Sequence, residues 1–204
     1  MRLRIDAPAR ERLAFLDGLR GLAALYVVLF HAMVEAHASG RSGSAPAVAA
    51  FAALRHGHYA VAVFVVLSGY CLMWPVARDP EGRLDGGIAR YLGRRARRII
   101  PPYYAALGLC WLLAATVPAL GRPGGGPWDV ALPSGGAGVV ASHLLLVQNW
   151  GPGWIYRVDP PAWTVATEWQ IYWLFPALIA LRRWVGMAAT VAIAFGLGWA
   201  IAGL

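Results

Sequence analysis

The stretch YAVAVFVVLSGYCLMWPVA, residues 59–77, contains no charged side chain over 19 consecutive positions. A helix needs about 20 predominantly apolar residues to cross the hydrocarbon core of a bilayer. This stretch is therefore predicted to be a membrane-spanning helix, and it sets the expectation for the rest of the chain.

Apolar runs also lie on both sides of this stretch. They are residues 21–34, 99–121, 137–147, 164–181 and 184–204. The run 137–147 is short for a span, so it either crosses the membrane or forms a re-entrant or interfacial segment. The pattern predicts an all-α fold, a polytopic transmembrane helix bundle with five or six spans.

Composition agrees with this fold class. Apolar residues make up 59% of the 204 positions and charged residues 14%, with a mean hydropathy of +0.54. A soluble domain has about 25% charged residues. The net charge of +8 comes with no soluble module that could carry a nucleic-acid site, so membrane lipids, and not nucleic acid, are the expected partners of the basic side chains.

The distribution of arginine predicts the orientation. Five arginines lie in the first 20 residues and seven in residues 78–98, whereas the connection between the first two runs has only Arg41 and Arg55. Because positive loops stay in the cytoplasm, the N-terminus and the second connection are predicted to be cytoplasmic in a multi-pass protein of the inner (plasma) membrane. Arg182 and Arg183 are cytoplasmic only if the run 137–147 does not span.

A cleaved secretory signal is a competing interpretation of the N-terminus, because residues 36–38 (AHA) have the small-x-small form of a cleavage site. The charged segment before the first run is long for a signal. Arg20, His31 and Glu35 also flank or interrupt the apolar stretch, which favours a retained span.

Polar side chains at membrane depth are functional candidates. Arg20 and His31 are eleven residues apart, which places them within about 20° on one helix face and about 16 Å apart along the axis. A phosphate-bearing carrier held at Arg20 could present a thioester to His31, whose imidazole is a natural general base. The alternative is a cytoplasmic anchor at Arg20 and a packing role for His31.

Two further elements are candidates. The arginines of residues 94–98 open the third run, where guanidinium groups either bind phosphates or anchor the helix to lipid headgroups. Glu168 lies about one turn into the fifth run and should face the bundle, where it either positions an acceptor hydroxyl or forms a structural ion pair. Ser68 lies in a plain apolar helix, so a hydrolase nucleophile is rejected.

These segments, in this order, resemble the acyltransferase 3 family of integral-membrane acyltransferases. Residues 16–25 followed by His31 are similar to the family's Arg-x10-His motif, and residues 63–70 (VFVVLSGY) to its FFxLSGF segment. Residues 94–103 (RRARRIIPPY) match its RRxxRIxPxY pattern, with Pro102 at the variable position before the tyrosine. Residues 163–176 (WTVATEWQIYWLFP) are similar to its WSLSVEEQFYLLFP stretch.

The resemblance implies transfer of an acyl group, often acetyl, from acyl-CoA as co-substrate to a hydroxyl of a sugar or glycoside, with no bound cofactor and no metal. The candidate residues carry over in three groups. The catalytic set is His31, Arg20 and Glu168. The donor-binding set is Arg94, Arg95 and Arg98. The supporting set is Asp17, Glu35 and Ser68.

The sequence also departs from the family pattern. Thr164 replaces the first serine of this stretch, and Trp169 replaces the second glutamate. Residues 1–204 are expected to form one acyltransferase 3-like transmembrane domain, C-terminally truncated relative to the family. The alternative function is therefore a non-catalytic membrane component, or an inactive fragment, associated with polysaccharide export.

Arginine asymmetry makes a topological prediction that reporter fusions can check. Reporters fused at the N-terminus and near Gly86 should be cytoplasmic, and one near Gly43 external, because arginine-rich connections are retained on the cytoplasmic side. An external reporter near Gly86 would contradict the orientation.

Overall fold

A computed structural model describes most of the chain. The described residues are 14–38, 45–124, 129, 131–132 and 136–202. They contain helices, turns and loops, and no β-strand. They divide into two compact units, Met1–Tyr70 and Cys71–Leu204.

The first unit consists of α1 (Ala14–Ala38), α2 (Ala45–Leu54) and the first part of α3 (Gly57–Arg78). The Tyr26 hydroxyl on α1 donates to the Ala53 carbonyl on α2 over 2.8 Å, which pairs a polar group that lipid could not satisfy. Gly57 lies against Phe30, and a Cβ at Gly57 would come within 2.3 Å of that ring. The close approach of the two helices therefore requires glycine at this position.

The second unit is built around two long helices. Its helical elements are the end of α3, α4 (Gly87–Thr116), α5 (Pro118–Gly121), α6 (Ala137–Leu144), the 3₁₀ turns Gln148–Trp150 and Pro160–Ala162, and α7 (Trp163–Ala202). The core between α4 and α7 contains the buried aromatic side chains of Tyr91, Tyr103, Tyr172 and Phe175.

The described part of the chain has four helical segments that are long and apolar enough to cross a membrane. They are Phe15–Val34, Ala52–Arg78, Gly87–Thr116 and Pro160–Trp199. At most 17% of the apolar window of each is buried, so most of that surface is left to face lipid. The all-α membrane fold predicted from the sequence is confirmed.

The fifth and sixth apolar runs both fall within α7. Its 40 residues rise about 60 Å, twice the thickness of a hydrocarbon core, so one span cannot contain them. Gly186 divides α7 at φ 81° and ψ 171°, a conformation that only glycine adopts readily. The break lies two residues into the predicted sixth run.

The fourth run does not span, which decides between the two alternatives left open by the sequence. Its helix, α6, has eight residues and rises about 12 Å. Accordingly, α7 returns to the side on which α4 begins. There the Arg183 guanidinium donates to the Glu81 carbonyl at 2.9 Å and to the Gly82 carbonyl at 3.2 Å. Arg183 and the connection between α3 and α4 therefore lie on the same side.

The irregular segment between α6 and α7 is held by buried polar side chains. His143 is fully buried, with Nδ1 2.8 Å from the Val139 carbonyl oxygen and Nε2 2.9 Å from that of Arg157. A neutral ring donates to one of these oxygens, and a protonated ring donates to both. Burial raises the pKa of the Asp159 carboxyl, and the His143 charge partly offsets that rise.

Gln148 and Tyr103 join the same buried cluster. The Gln148 amide, also fully buried, donates to the Tyr103 hydroxyl and to the Ala162 carbonyl, each over 3.2 Å. The Tyr103 hydroxyl in turn donates to the His143 carbonyl over 2.8 Å. These bonds connect α6, the irregular segment and the start of α7 to the middle of α4.

Replacement of His143 tests this buried cluster. His143→Leu should destabilise the folded protein by about 2–4 kcal/mol, because the carbonyl oxygen that accepts from the ring, that of Val139 or of Arg157, loses this donor inside the fold. Thermal unfolding of the purified protein in detergent measures the effect. Leu145→Ala, on an exposed side chain of the same segment, is the control and should shift the midpoint little. Equal midpoints for the two variants would contradict the structural role of His143.

Candidate functional site

The first pair of predicted site residues lies on α1 in the first unit. The helix runs without a break from Ala14 to Ala38, so Arg20 and His31 keep the helical spacing that places them on one face. Arg20 is half-buried and His31 is exposed, with its ring 5.2 Å from that of Phe30. An exposed imidazole on this face can exchange a proton with a bound molecule.

The predicted supporting residues differ in what surrounds them. Asp17 is exposed in the first turn of α1, where a carboxylate is favoured by the helix dipole. The side chain of Glu35 lies outside the described residues. Ser68 is buried in the continuous helix α3, without the sharp elbow that a nucleophilic serine requires.

The arginine cluster lies on α4 in the second unit. This helix begins twelve residues before the third apolar run, so all of the cluster is helical. Arg94 bonds back to the start of the helix, donating to the Asp85 carbonyl at 3.0 Å and approaching its carboxylate at 3.6 Å. Arg98 is exposed. The members of the cluster therefore face different surroundings.

Arg95 is held by aromatic rings. Its Cζ atom lies 5.8 Å from the centroid of the Tyr91 ring and 5.4 Å from that of Tyr172 on α7. Both distances are within the range of a cation–π interaction. The Nε atom of Arg95 is buried and has no hydrogen-bond partner among the described residues.

Glu168 lies one turn before Tyr172 on α7 and accepts a hydrogen bond from the Tyr172 hydroxyl. The prediction that this carboxylate faces the bundle agrees with its half-buried position. Tyr172 therefore touches both Glu168 and Arg95, and it links two residues that the sequence selected separately.

A second polar cluster joins α7 to the irregular segment, and the sequence analysis missed it. Asn149 and Gln170 form a reciprocal amide pair, with N···O distances of 3.1 and 2.7 Å. Asn149 also donates to Thr167, and Gln170 to the Leu146 carbonyl. The available signal in the sequence was that Gln148 and Asn149 directly follow the apolar run 137–147. The partner of Asn149 is Gln170 on α7, 21 residues later, so the sequence did not reveal the pair.

Trp150 is attached to this cluster through its indole nitrogen, which donates to the Gln170 side-chain oxygen over 3.3 Å. The amide groups of Asn149 and Gln170 are thereby used within the protein. In the described part of the chain, no three His, Cys, Asp or Glu side chains are grouped so that they could hold a metal ion.

The apolar helices, the arginine cluster and the carboxylate on α7 define a helical membrane protein with polar groups held inside its second unit. The sequence matches the model of the acyltransferase domain of the acyltransferase 3 family over residues 13–204. The chain belongs to this family of membrane acyltransferases.

A curated relative agrees with this assignment. The chain is 31% identical over 183 residues to the acyltransferase MdmB of Streptomyces mycarofaciens. The match covers 86% of this chain and 41% of the relative, so the chain spans about two fifths of that protein's length. No solved structure matches the chain significantly.

Proposed function

We propose that the chain is an O-acyltransferase that moves an acyl group, with acetyl as the proposed group, from acyl-CoA to a hydroxyl of a sugar or glycoside. The observation that carries this proposal is the uninterrupted helix α1, with Arg20 and His31 on one face about 16 Å apart. This spacing suits a long, thin donor that has phosphates at one end and a thioester at the other.

His31 is the general base in this reaction. Its neutral imidazole takes the proton of the acceptor hydroxyl as the oxygen attacks the thioester carbonyl carbon. The tetrahedral intermediate then collapses, the carbon–sulfur bond breaks and coenzyme A leaves as a thiolate. The imidazolium returns its proton to this thiolate, so the ring is neutral again after each transfer.

The donor phosphates are bound by guanidinium groups. Arg20, Arg95 and Arg98 are suited to this role, because charge-assisted hydrogen bonds from arginine to phosphate are strong and can be bidentate. Arg94 is less suited, because its contacts with Asp85 compete with phosphate binding. Glu168 is assigned to the acceptor, whose hydroxyl its carboxylate can orient by accepting a hydrogen bond.

The donor is bound from the cytoplasm in this proposal. The N-terminus and the connection between α3 and α4 have the arginine content of cytoplasmic segments of an inner-membrane protein. The hydrogen bonds from Arg183 to Glu81 and Gly82 add the middle of α7, just before the break at Gly186, to the same side. Arginines from three regions of the sequence then face the compartment that supplies acyl-CoA.

Replacement of His31 tests the catalytic assignment. His31→Ala should reduce acyl transfer by at least 10²–10⁴-fold, the range typical of general-base removal, because the imidazole that takes the proton of the acceptor hydroxyl is lost. Membrane insertion should stay near normal, since the change removes a polar group from a helix. Transfer of label from acetyl-CoA in membranes that contain the chain is the measurement.

His37→Ala is the matched control for this experiment. His37 lies six residues after His31 on α1, about 120° from the face shared with Arg20, so its removal should leave transfer almost unchanged. Equal activity of the two variants would contradict the role of His31. Absence of transfer by the inserted, unmodified chain would favour the alternative, a non-catalytic membrane component or an inactive fragment.

The donor site is tested by Arg98→Ala. Loss of one charge-assisted contact should weaken donor binding by on the order of 1.5–3 kcal/mol and should reduce the salt dependence of binding. Arg94→Ala should weaken binding less, because Arg94 already contacts Asp85. Titration of the purified chain with acetyl-CoA at two salt concentrations measures both effects. Unchanged binding in the Arg98 variant would assign that side chain to membrane anchoring.

A further inference from the structure

Neighbouring arginines of α4 are held in two physically different ways. Arg94 is held by oxygen atoms, since it contacts both the backbone carbonyl and the carboxylate of Asp85. Arg95 is held by the rings of Tyr91 and Tyr172, at 5.8 and 5.4 Å from its Cζ atom. A carboxylate neutralises a guanidinium and occupies its N–H groups, whereas an aromatic ring attracts the cation through its π face.

The hydrogen-bonding state of Arg95 points to a ligand. Its Nε–H group is buried and lacks a partner among the described residues. A buried donor without an acceptor costs about 1–3 kcal/mol, so native structures rarely retain one without a reason. The Tyr91 hydroxyl is also buried without a hydrogen-bond partner among the described residues, and the residue is only 3% exposed. The positive charge of Arg95 and its unused Nε–H donor fit an anionic ligand.

The aromatic support of Arg95 is fixed in place. The Tyr91 ring packs edge-to-face on that of Tyr172, with centroids 6.5 Å apart at 84°, and also contacts Phe175 at 5.7 Å. Tyr91 and Arg95 are four residues apart on one helix, which brings their side chains together. A guanidinium between fixed rings has few orientations to lose on binding, and this favours a specific site over a mobile anchor.

We propose that Tyr91 is the residue that positions the guanidinium of Arg95 as this arginine binds a phosphate group of the acyl-CoA donor. The inference rests on the proposed function, because it names one binding residue and one positioning residue for the same donor. Lipid headgroups share the phosphate chemistry, so the test separates the two sources.

The experiment measures coenzyme A binding to the chain in nanodiscs of phosphatidylcholine, by calorimetry. Tyr91→Leu removes the ring and should weaken binding about 3- to 10-fold, the loss expected for one cation–π contact. Tyr91→Phe keeps the ring and should retain binding within about twofold of the unmodified chain. Arg95→Gln should weaken binding more than Tyr91→Leu does.

A double variant distinguishes positioning from general destabilisation. If Tyr91 acts through Arg95, Tyr91→Leu should have no further effect on coenzyme A binding in the Arg95→Gln background. An equal loss in both backgrounds would overturn the inference, because the effect would then be structural. A loss in Tyr91→Phe as large as that in Tyr91→Leu would also overturn it, since the hydroxyl and not the ring would be responsible.

Nanodiscs that contain phosphatidylglycerol test whether Arg95 binds a lipid headgroup and not coenzyme A. Coenzyme A affinity that is independent of Arg95, together with a loss of phosphatidylglycerol enrichment in Arg95→Gln, would assign the arginine to lipid and overturn the inference. Failure of the unmodified chain to bind coenzyme A would contradict the proposed function itself. Binding that is unaffected by Tyr91→Leu would contradict the inference alone.

Discussion

Irregular backbone inside a fold lacks the regular hydrogen bonds of a helix, so its polar groups must be satisfied by other groups of the protein. In the second unit this requirement is met largely by His143, which contacts the carbonyl oxygens of Val139 and Arg157 from a fully buried position. Tyr103 and Gln148 extend the cluster to α4 and to Ala162 just before α7. Without these bonds, the segment between α6 and α7 would leave polar groups unpaired in an apolar environment.

The same bonds set the position of α7 along α4. Once the start of α7 is fixed near Tyr103, Tyr172 falls beside Arg95, which is about two turns from the start of α4. The opposite end of this stretch of α7 is fixed by Arg183 on the connection between α3 and α4. The contact between Arg95 and the two tyrosine rings is thus a consequence of polar anchors at both ends of the helix pair.

Local strain accompanies this segment. Val158 has a φ of 67° and Leu146 a φ of 53°, values that branched and bulky residues rarely adopt. Each is held by its surroundings, since the Val158 N–H donates to the Ala131 carbonyl and the Leu146 carbonyl accepts from Gln170. A strained backbone conformation persists where several neighbouring hydrogen bonds hold it in place. The Asn149–Gln170 pair supplies such hydrogen bonds here.

The arginines of this cluster look alike in the sequence but have different surroundings in the fold. Residues 94–98 read as one basic cluster, and the sequence left open whether it binds phosphate or anchors the helix. The structure separates Arg94, which contacts Asp85, from Arg95, which lies between aromatic rings. The difference depends on Tyr172, which is 77 positions from Arg95, so no local pattern around the cluster could reveal it.

The sequence by itself determined the membrane class, the helical fold and the family, because uncharged runs of spanning length and the motif residues around Arg20, His31 and Glu168 are local properties of the chain. It could not decide whether residues 137–147 span or how α7 divides at Gly186. It also could not show which groups contact the side chains of His143 and Arg95. Those outcomes depend on contacts between segments far apart in sequence, where pairing of buried polar groups and packing of aromatic rings select one arrangement. Only the tertiary structure therefore decided the surroundings of the candidate site residues.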